Sequence, residues 1–227
     1  MSKKKLIVFT GAGISAESGI KTFRDSGGLW EEFRIEDVAT PEAWKKDPSK
    51  VTQFYNFRRK QVMDAKPNEA HYFFASLEKK YDVQIITQNI DDLHERAGSK
   101  NVLHLHGEIM KVRSSLDPSL IYKLKKWEVK IGDKCEKGSQ LRPHIVWFGE
   151  MVPNMDVAAN IVQKADLFIT VGTSLNVYPA AGLIEVAENS IDKYLIDPGT
   201  FELNHISNLK HIKETAVDGI KKLEMYL

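Results

Sequence analysis

The sequence predicts an α/β protein built on an open, doubly wound parallel sheet with a smaller inserted module. Short apolar, β-branched runs recur at residues 6–10, 83–87, 167–171 and 193–197. Segments with helical apolar spacing lie between them, at residues 49–65, 68–80, 155–164, 178–189 and 213–225. Short buried strands that alternate with helices are typical of such a sheet.

Two parts of the chain interrupt this alternation. Residues 111–137 are rich in lysine and turn-forming residues, and residues 24–66 read as a loop followed by helices. We therefore expect one domain, residues 1–227. Its sheet-forming parts are 1–23, 67–108 and 146–227, its insertions are 24–66 and 109–145, and a cleft lies between the parts.

Composition excludes several classes of protein. The chain has 227 residues, a net charge of +1 and 42% hydrophobic residues. The charge balance argues against a nucleic-acid coat or a polybasic membrane protein. The only cysteine, Cys135, excludes an internal disulfide framework and a four-cysteine zinc site.

Targeting and association signals are weak. The longest nearly apolar stretch, residues 165–172, contains Asp166 and is far shorter than the ~20 residues that span a membrane. The apolar run at residues 6–9 is shorter than the about 7–15 residues of a signal peptide. No heptad or large apolar stripe is visible, so we expect a cytoplasmic monomer without membrane or nucleic-acid partners.

A glycine loop follows the first predicted strand. Gly11, Ala12 and Gly13 precede a helix, where glycine lets a pyrophosphate approach the backbone and free N–H groups can bind it. Gly19 comes six residues after Gly13, whereas the usual spacing is three. Nucleotide binding and a plain tight turn are both compatible with this loop alone.

Seven short motifs that occur in a fixed order favour nucleotide binding over a plain turn. They are GAGIS at 11–15, SGI at 18–20, FR at 23–24, TQNID at 87–91, HLHG at 104–107, WFGE at 147–150 and GTS at 172–174. Together they resemble the sirtuins, NAD-dependent protein deacylases, over about residues 5 to 216. Any one motif is unspecific, but seven at roughly the family's spacing are specific.

The resemblance implies a Rossmann-like domain with a small module, and a cleft that NAD and an acyl-lysine peptide enter from opposite sides. It also implies the reaction. The acyl oxygen attacks the ribose carbon that bears nicotinamide, and the ribose hydroxyls then take over the acyl group. The products are free lysine, nicotinamide and O-acyl-ADP-ribose.

His106 matches the family's catalytic histidine. A neutral imidazole can accept a proton from a ribose hydroxyl near pH 7. His104 would share a face with His106 on an extended chain, so spacing alone does not choose between them. A lone histidine beside glycine can also be a structural residue.

The motif at 87–91 matches contacts to nicotinamide and ribose. Asn89 and Asp91 match the catalytic contacts, and Gln88 and Ile90 complete the cofactor-binding set. Amide and carboxylate groups offer both donors and acceptors to such partners. The alternative is that Asn89 and Asp91 only cap the following helix.

The remaining cofactor contacts are implied by further motif matches. Phe23, Arg24 and Asp25 match the mobile cofactor loop, whereas Phe33 is expected in the core. At the carboxyl ends of strands the family's NAD contacts match Gly11, Ala12, Gly13, Gly172, Thr173 and Ser174. At the adenosine end the usual asparagine is replaced by Asp197, and Thr215 and Ala216 resemble the adenine-flanking turn.

Substrate contacts follow from two further segments. Val146, Phe148, Gly149 and Glu150 match the strand to which the peptide adds by main-chain pairing. Packing of this apolar segment in the core is the alternative, and Trp147 is expected to be structural.

The acyl pocket resembles the branch that removes succinyl, malonyl and glutaryl groups, where Ala39 opens the pocket and Tyr55 and Arg58 hold a carboxylate. Tyr55 and Arg58 share a helix face at this spacing, and a solvated helix face is the alternative.

The family's structural zinc is expected to be absent. Ser114 or Ser115 stands at the position of the first zinc cysteine, and Cys135 with His144 would supply only two ligands. The activities left open are a plain deacetylase, a protein ADP-ribosyltransferase and a non-catalytic module that senses NAD or acyl-lysine. The set of His106, Asn89 and Asp91 argues against the last, because a binding module needs no base.

Overall fold

A computed structural model describes residues 3–22 and 32–227 of the chain. Its strands are β1 (Lys5–Thr10), β2 (Asp82–Thr87), β3 (Val102–His104), β4 (Gly107–Ser114), β5 (Ile121–Lys123), β6 (Leu141–Ile145), β7 (Leu167–Val171), β8 (Asp192–Ile196) and β9 (Leu209–Ile212). Within these ranges the main sheet has six parallel strands in the order β3-β2-β1-β7-β8-β9. The predicted α/β class is confirmed.

The helices are α1 (Gly13–Ala16), α2 (Ile35–Val38), α3 (Pro41–Lys46), α4 (Pro48–Asp64), α5 (Glu69–Ser76), α6 (Leu93–Arg96), α7 (Met155–Val162), α8 (Leu183–Val186) and α9 (Ala216–Leu223). Helices α5 and α9 cover one face of the main sheet and helices α7 and α8 the other, whereas α2, α3 and α4 pack against the small module. Over the described part of the chain, none of the helices is both long and apolar enough to cross a membrane.

The central strand β1 is buried on both faces. Leu6 and Val8 pack into one apolar cluster with α5 and α9, whereas Ile7 and Phe9 pack into a second cluster with α7 and α8. Because successive side chains of a strand point to opposite faces, a continuous apolar run is what a doubly covered strand requires. This is why the apolar run at residues 6–10 predicted strand β1 correctly.

A second sheet lies within the predicted insertion. Here β4 pairs antiparallel with both β5 and β6, and a register shift between Gly107 and Val112 bends the strand. Helix α4 is tied to this sheet by Arg59, which is fully buried. Its guanidinium donates to the carbonyl of Ile109 at 2.8 Å and to that of Trp127 at 2.6 Å.

Some elements differ from the sequence prediction. The helix predicted at 178–189 is a single 3-10 turn, Ala180–Gly182, followed by the four residues of α8. Strands β3 and β9 were not predicted, because three and four residues give too short an apolar pattern. Both lie at the edges of the sheet, where tertiary pairing decides the conformation.

Helix α9 packs closely against β8 at Gly219, where there is no room for a larger residue. A Cβ atom on Gly219 would lie 2.1 Å from Cγ2 of Ile196. We expect Gly219→Ala to lower the free energy of unfolding in urea by about 1–3 kcal/mol, because the added methyl must displace packed core atoms. Gly182→Ala is the matched control, since its Cβ would meet only the Tyr178 ring at 3.9 Å. Equal stability of Gly219→Ala and wild type would contradict this packing.

Candidate active site

A cavity of about 270 Å³ opens at the carboxyl ends of β1, β2 and β7 and extends to α4 and to the link after β6. Ligand crevices in parallel sheets lie at this edge. The predicted residues that line it are Ala12, Gly13, Ala39, Tyr55, Arg58, Gln88, Asn89, Ile90, His106, Val146, Phe148, Gly149, Glu150, Gly172, Thr173, Ser174 and Asp197.

The other predicted site residues lie elsewhere. Gly11 packs behind the cavity wall against Gly172 and Thr173, and Asp91 lies below Asn89, bonded to Ser15. Ala216 begins α9 and is buried in the core. Phe23, Arg24 and Asp25 fall outside the described residues.

The floor of the cavity is a backbone-to-backbone contact between the turn after β1 and the end of β7. The N–H of Gly13 donates to the carbonyl of Gly172 at 2.8 Å. A Cβ on Gly13 would lie 2.6 Å from Cα of Gly172, and one on Gly172 would lie 2.3 Å from the Ile14 nitrogen. Side chains cannot enter this contact, so peptide backbone rather than side chains forms this part of the cavity wall.

His106 has one engaged ring nitrogen. Its Nδ1 donates to the carbonyl of Gln88 at 3.0 Å, which leaves Nε2 as the proton-accepting nitrogen. Burial lowers the pKa of His106, and the bond to Gln88 offsets this only in part. The imidazole is therefore neutral at pH 7, as a general base requires.

His104 is engaged at both ring nitrogens. Nδ1 donates to the carbonyl of Asn89 at 2.9 Å, and Nε2 lies 2.8 Å from Oε1 of Glu95. Burial alone would lower the pKa of His104, but the hydrogen bond and charge of Glu95 outweigh it and raise the pKa. Of the two histidines that spacing left open, only His106 has both a free nitrogen and a place on the cavity wall.

Asn89 and Asp91 are fixed by hydroxyl groups. Ser15 accepts from Nδ2 of Asn89 at 3.2 Å and donates to Oδ2 of Asp91 at 3.1 Å. The Oδ1 atom of Asp91 accepts from the N–H of Leu93, the first residue of α6. Asp91 therefore bonds the start of this helix from the position before its N-cap residue, Asp92. Burial raises the pKa of Asp91, and the bonds from Leu93 and Ser15 oppose this rise.

A buried polar cluster of Thr10, Thr87 and His94, which the sequence did not predict, is hydrogen-bonded to the backbone of Asn89. Thr10 donates to Thr87 at 2.8 Å and lies 3.0 Å from Nε2 of His94, and Thr87 in turn accepts from the N–H of Asn89 at 3.0 Å. The rings of His94 and His71 are in contact, and burial lowers the pKa of His71 to about 4. Strands β1 and β2 both end in threonine, and this shared ending is the feature of the sequence that could have predicted the cluster.

The predicted acyl pocket lies on α4. Tyr55 and Arg58 are only 4% and 3% exposed, which excludes the solvated helix face left open above. Nη1 of Arg58 donates to Oε1 of Gln61 at 3.2 Å. Burial lowers the pKa of Arg58 to about 10, so the guanidinium stays charged at pH 7. Phe33 packs edge-on against Phe54 in the core, as expected.

The segment from Val146 to Glu150 is an extended link and a turn rather than a strand, because β6 ends at Ile145. The N–H of Val146 donates to the carbonyl of His106 at 2.9 Å, and that of Phe148 donates to Ala39 at 3.0 Å. Glu150 folds back and accepts from the N–H of Trp147 at 2.8 Å. Its carboxylate therefore holds the turn.

The tip of the small module is joined by short hydrogen bonds. The hydroxyls of Ser114 and Ser139 lie 2.7 Å apart, and Sγ of Cys135 lies 3.4 Å and 3.2 Å from them. Within residues 3–22 and 32–227, no group of three or more His, Cys, Asp or Glu residues is arranged to hold a metal ion. Hydrogen bonds from Ser114 and Ser139 lower the pKa of the Cys135 thiol to about 7.

Comparisons with known proteins agree on one family. The profile of the Sir2 family matches residues 11–179. An NAD-dependent protein deacylase of Bacteroides thetaiotaomicron is 51% identical over 229 residues, covering 99% of this chain and 98% of that protein. A protein of the same name from Helicobacter pylori is 53% identical over 220 residues, covering 97% and 96%.

Solved structures give the same result. A crystal structure of a Sir2 homologue in complex with NAD superposes with a TM-score of 0.88 at 42% identity, covering 99% of this chain and 89% of that one. A Sir2 complex with a p53 peptide and NAD⁺ gives a TM-score of 0.82 at 31% identity, with coverages of 99% and 93%. With the profile matching most of its length and relatives at about half identity, the chain belongs to the Sir2 family.

Proposed function

We propose that this protein is an NAD-dependent protein-lysine deacylase that prefers acyl groups ending in a carboxylate. One observation supports the proposal above the others. A single cavity joins a peptide-backbone cradle, a neutral histidine and a buried arginine–tyrosine pair. The backbone cradle suits a pyrophosphate, and the neutral histidine suits a ribose hydroxyl. The arginine–tyrosine pair suits a charged acyl end.

The residues present fit NAD. Gly13 and Gly172 line the cavity with peptide backbone, because a Cβ atom at either position would clash with the backbone of the other segment. Thr173 donates to Oε1 of Gln88 at 2.9 Å, which presents the amide edge of Gln88 to the cavity. Asp197 lines the cavity, where its Oδ1 accepts from the N–H of Gly199 at 2.8 Å, and a carboxylate has further lone pairs that a ribose hydroxyl can use.

When bound, NAD supplies the electrophilic ribose carbon and the hydroxyls that receive the acyl group. The chain supplies a base and a fixed binding site. Nε2 of His106 accepts a proton from a ribose hydroxyl, since Nδ1 is held by Gln88. Asn89 and Asp91, held by Ser15 and the backbone, orient the nicotinamide side of the site without rearrangement.

Specificity for the acyl group lies at α4. Ala39 is small and leaves room at the cavity wall, while Arg58 keeps a charged, planar guanidinium in a nearly dry site. A carboxylate on the substrate could form charge-assisted hydrogen bonds with this planar guanidinium, and acetyl cannot. This favours succinyl, malonyl and glutaryl groups over acetyl.

The proposed partners are acyl-lysine proteins or peptides, which would pair with the segment Val146, Phe148, Gly149 and Glu150. A structural zinc is not part of the proposal, because serines occupy the tip where Cys135 stands alone. The cytoplasmic location, the monomeric state and the lack of membrane or nucleic-acid partners stay predictions from the sequence.

Replacing His106 separates an enzyme from a sensing module. We expect His106→Ala to lower kcat about 10²- to 10⁴-fold, because the ribose hydroxyl loses its base, while NAD binding by calorimetry is retained. The wild-type kcat/KM, which reports the free enzyme, should fall as pH drops through the pKa of His106. Since burial lowers that pKa, the midpoint of the acid limb should lie below pH 6.5.

A retained kcat in His106→Ala would contradict the role of His106, and an acid limb centred above pH 6.5 would contradict its buried, neutral state.

A competition assay tests the acyl preference. The protein is mixed with NAD and equal amounts of acetyl-, succinyl- and glutaryl-lysine peptides of one sequence, and mass spectrometry follows each peptide and its O-acyl-ADP-ribose. We expect the acidic peptides to be consumed first. Arg58→Met should reduce their lead about 10- to 150-fold, the value of one charge-assisted hydrogen bond.

Arg34→Met is the matched control, because that side chain is 79% exposed, and it should leave the order of consumption unchanged. Preferential consumption of the acetyl peptide by wild type would identify a plain deacetylase.

Metal content tests the zinc-free module. Elemental analysis of the purified protein should give far less than one zinc per chain, and EDTA should leave the melting temperature unchanged. The reason is that the tip is joined by hydrogen bonds among Ser114, Cys135 and Ser139. Stoichiometric zinc, or a melting temperature lowered by EDTA, would overturn the proposal.

A further inference from the structure

We propose that Trp147 is a positioning residue for acyl selectivity, because its indole N–H fixes the direction in which the Tyr55 hydroxyl donates. This inference rests on the proposed preference for acidic acyl groups and names what makes Tyr55 effective. From sequence, Trp147 was expected to be only structural, and the structure places it against the specificity residue.

The central observation is a buried hydrogen bond. Nε1 of Trp147 donates to the hydroxyl oxygen of Tyr55 at 3.0 Å, and the two residues are 2% and 4% exposed. An indole nitrogen only donates, so the Tyr55 oxygen is the acceptor. The phenolic hydrogen must therefore point away from Trp147, and Tyr55 lines the cavity.

The protonation state of Tyr55 supports this direction. Burial raises its pKa, and the bond from Trp147 opposes the rise only in part. Tyr55 is therefore a phenol at any physiological pH and keeps a hydrogen to donate. Arg58 stands one turn further along the same helix, so its guanidinium and the Tyr55 hydroxyl can address one carboxylate.

Trp147 is itself held rigidly. The guanidinium carbon of Arg142 lies 3.4 Å from the centre of its ring. Arg142 also donates to both carboxylate oxygens of Glu150, at 2.9 Å and 3.1 Å, and Glu150 accepts from the backbone N–H of Trp147 at 2.8 Å. The ring of Trp44 packs 5.8 Å away. These contacts hold the indole in place beside the Tyr55 oxygen.

The consequence concerns selectivity rather than turnover in general. A hydroxyl held in one direction has no rotational freedom to lose when a carboxylate binds. Acetyl has no distal carboxylate and gains nothing from this orientation. Loss of the indole donor should therefore weaken recognition of acidic acyl groups more than recognition of acetyl.

The test compares Trp147→Phe with wild type. The measured quantity is the ratio of kcat/KM for succinyl-lysine peptide to that for acetyl-lysine peptide. We expect this ratio to fall about 3- to 10-fold, the range of one neutral hydrogen bond. A purely structural role would lower both values in parallel and leave the ratio unchanged, which would overturn the inference. Trp127→Phe, a substitution of a 39%-exposed tryptophan, is the matched control.

A double-mutant cycle with Tyr55→Phe tests the path of the effect. If Trp147 acts through the Tyr55 hydroxyl, adding Trp147→Phe to Tyr55→Phe should change the ratio by less than about 2-fold. Additive losses would overturn the inference. A wild type with no acidic preference refutes the proposed function, whereas a preference that Tyr55→Phe and Arg58→Met remove but Trp147→Phe spares refutes only the role of Trp147.

If Trp147→Phe does not fold, as judged by near-ultraviolet circular dichroism, benzothienylalanine is incorporated at position 147. This residue keeps the bicyclic shape and replaces the N–H by sulfur. The same fall in the ratio is expected, and an unchanged ratio would again overturn the inference.

Discussion

The contact between two glycines at the carboxyl edge of the sheet is the constraint on which the rest of the site depends. Gly13 and Gly172 touch backbone to backbone, and neither position has room for a Cβ atom. This brings the first turn of the chain within 2.8 Å of the end of β7, about 160 residues later. The cavity floor is therefore peptide backbone, and the polar side chains that follow β2 stand at its edge.

The peptide groups after β2 are held in place from several directions. The carbonyls of Gln88 and Asn89 accept from His106 and His104, and the N–H of Asn89 donates to Thr87. The two histidines thereby bind neighbouring carbonyls, but their pKa values are shifted in opposite directions. Glu95 lies beside His104 and raises its pKa, whereas burial lowers the pKa of His106. Spacing alone does not distinguish the two histidines. The second ring nitrogen does, because Nε2 of His104 is bonded to Glu95 and Nε2 of His106 lies on the cavity side.

Two adjacent arginines on α4 show how one helix serves both fold and specificity. Arg59 donates to the carbonyls of Ile109 and Trp127 and joins the helix to the small module. Arg58 faces the cavity instead, beside Tyr55. Both have a pKa lowered to about 10 by burial, so both remain charged, but only Arg58 can meet a substrate.

The sequence by itself determined four of the six strands of the main sheet, the glycine loop and most of the predicted residues that line the cavity, because these depend on local pattern and on short motifs. The apolar run of β1 predicts a doubly covered strand, and Tyr55 and Arg58 predict a shared helix face. Only the tertiary structure decided which partners these residues meet. The bond from Trp147 to Tyr55 joins positions 92 residues apart, and the link at Val146, where a strand was predicted, is bonded to the distant carbonyl of His106. Such long-range contacts leave no periodic pattern in the chain, since they are fixed by how the sheet and the small module pack together.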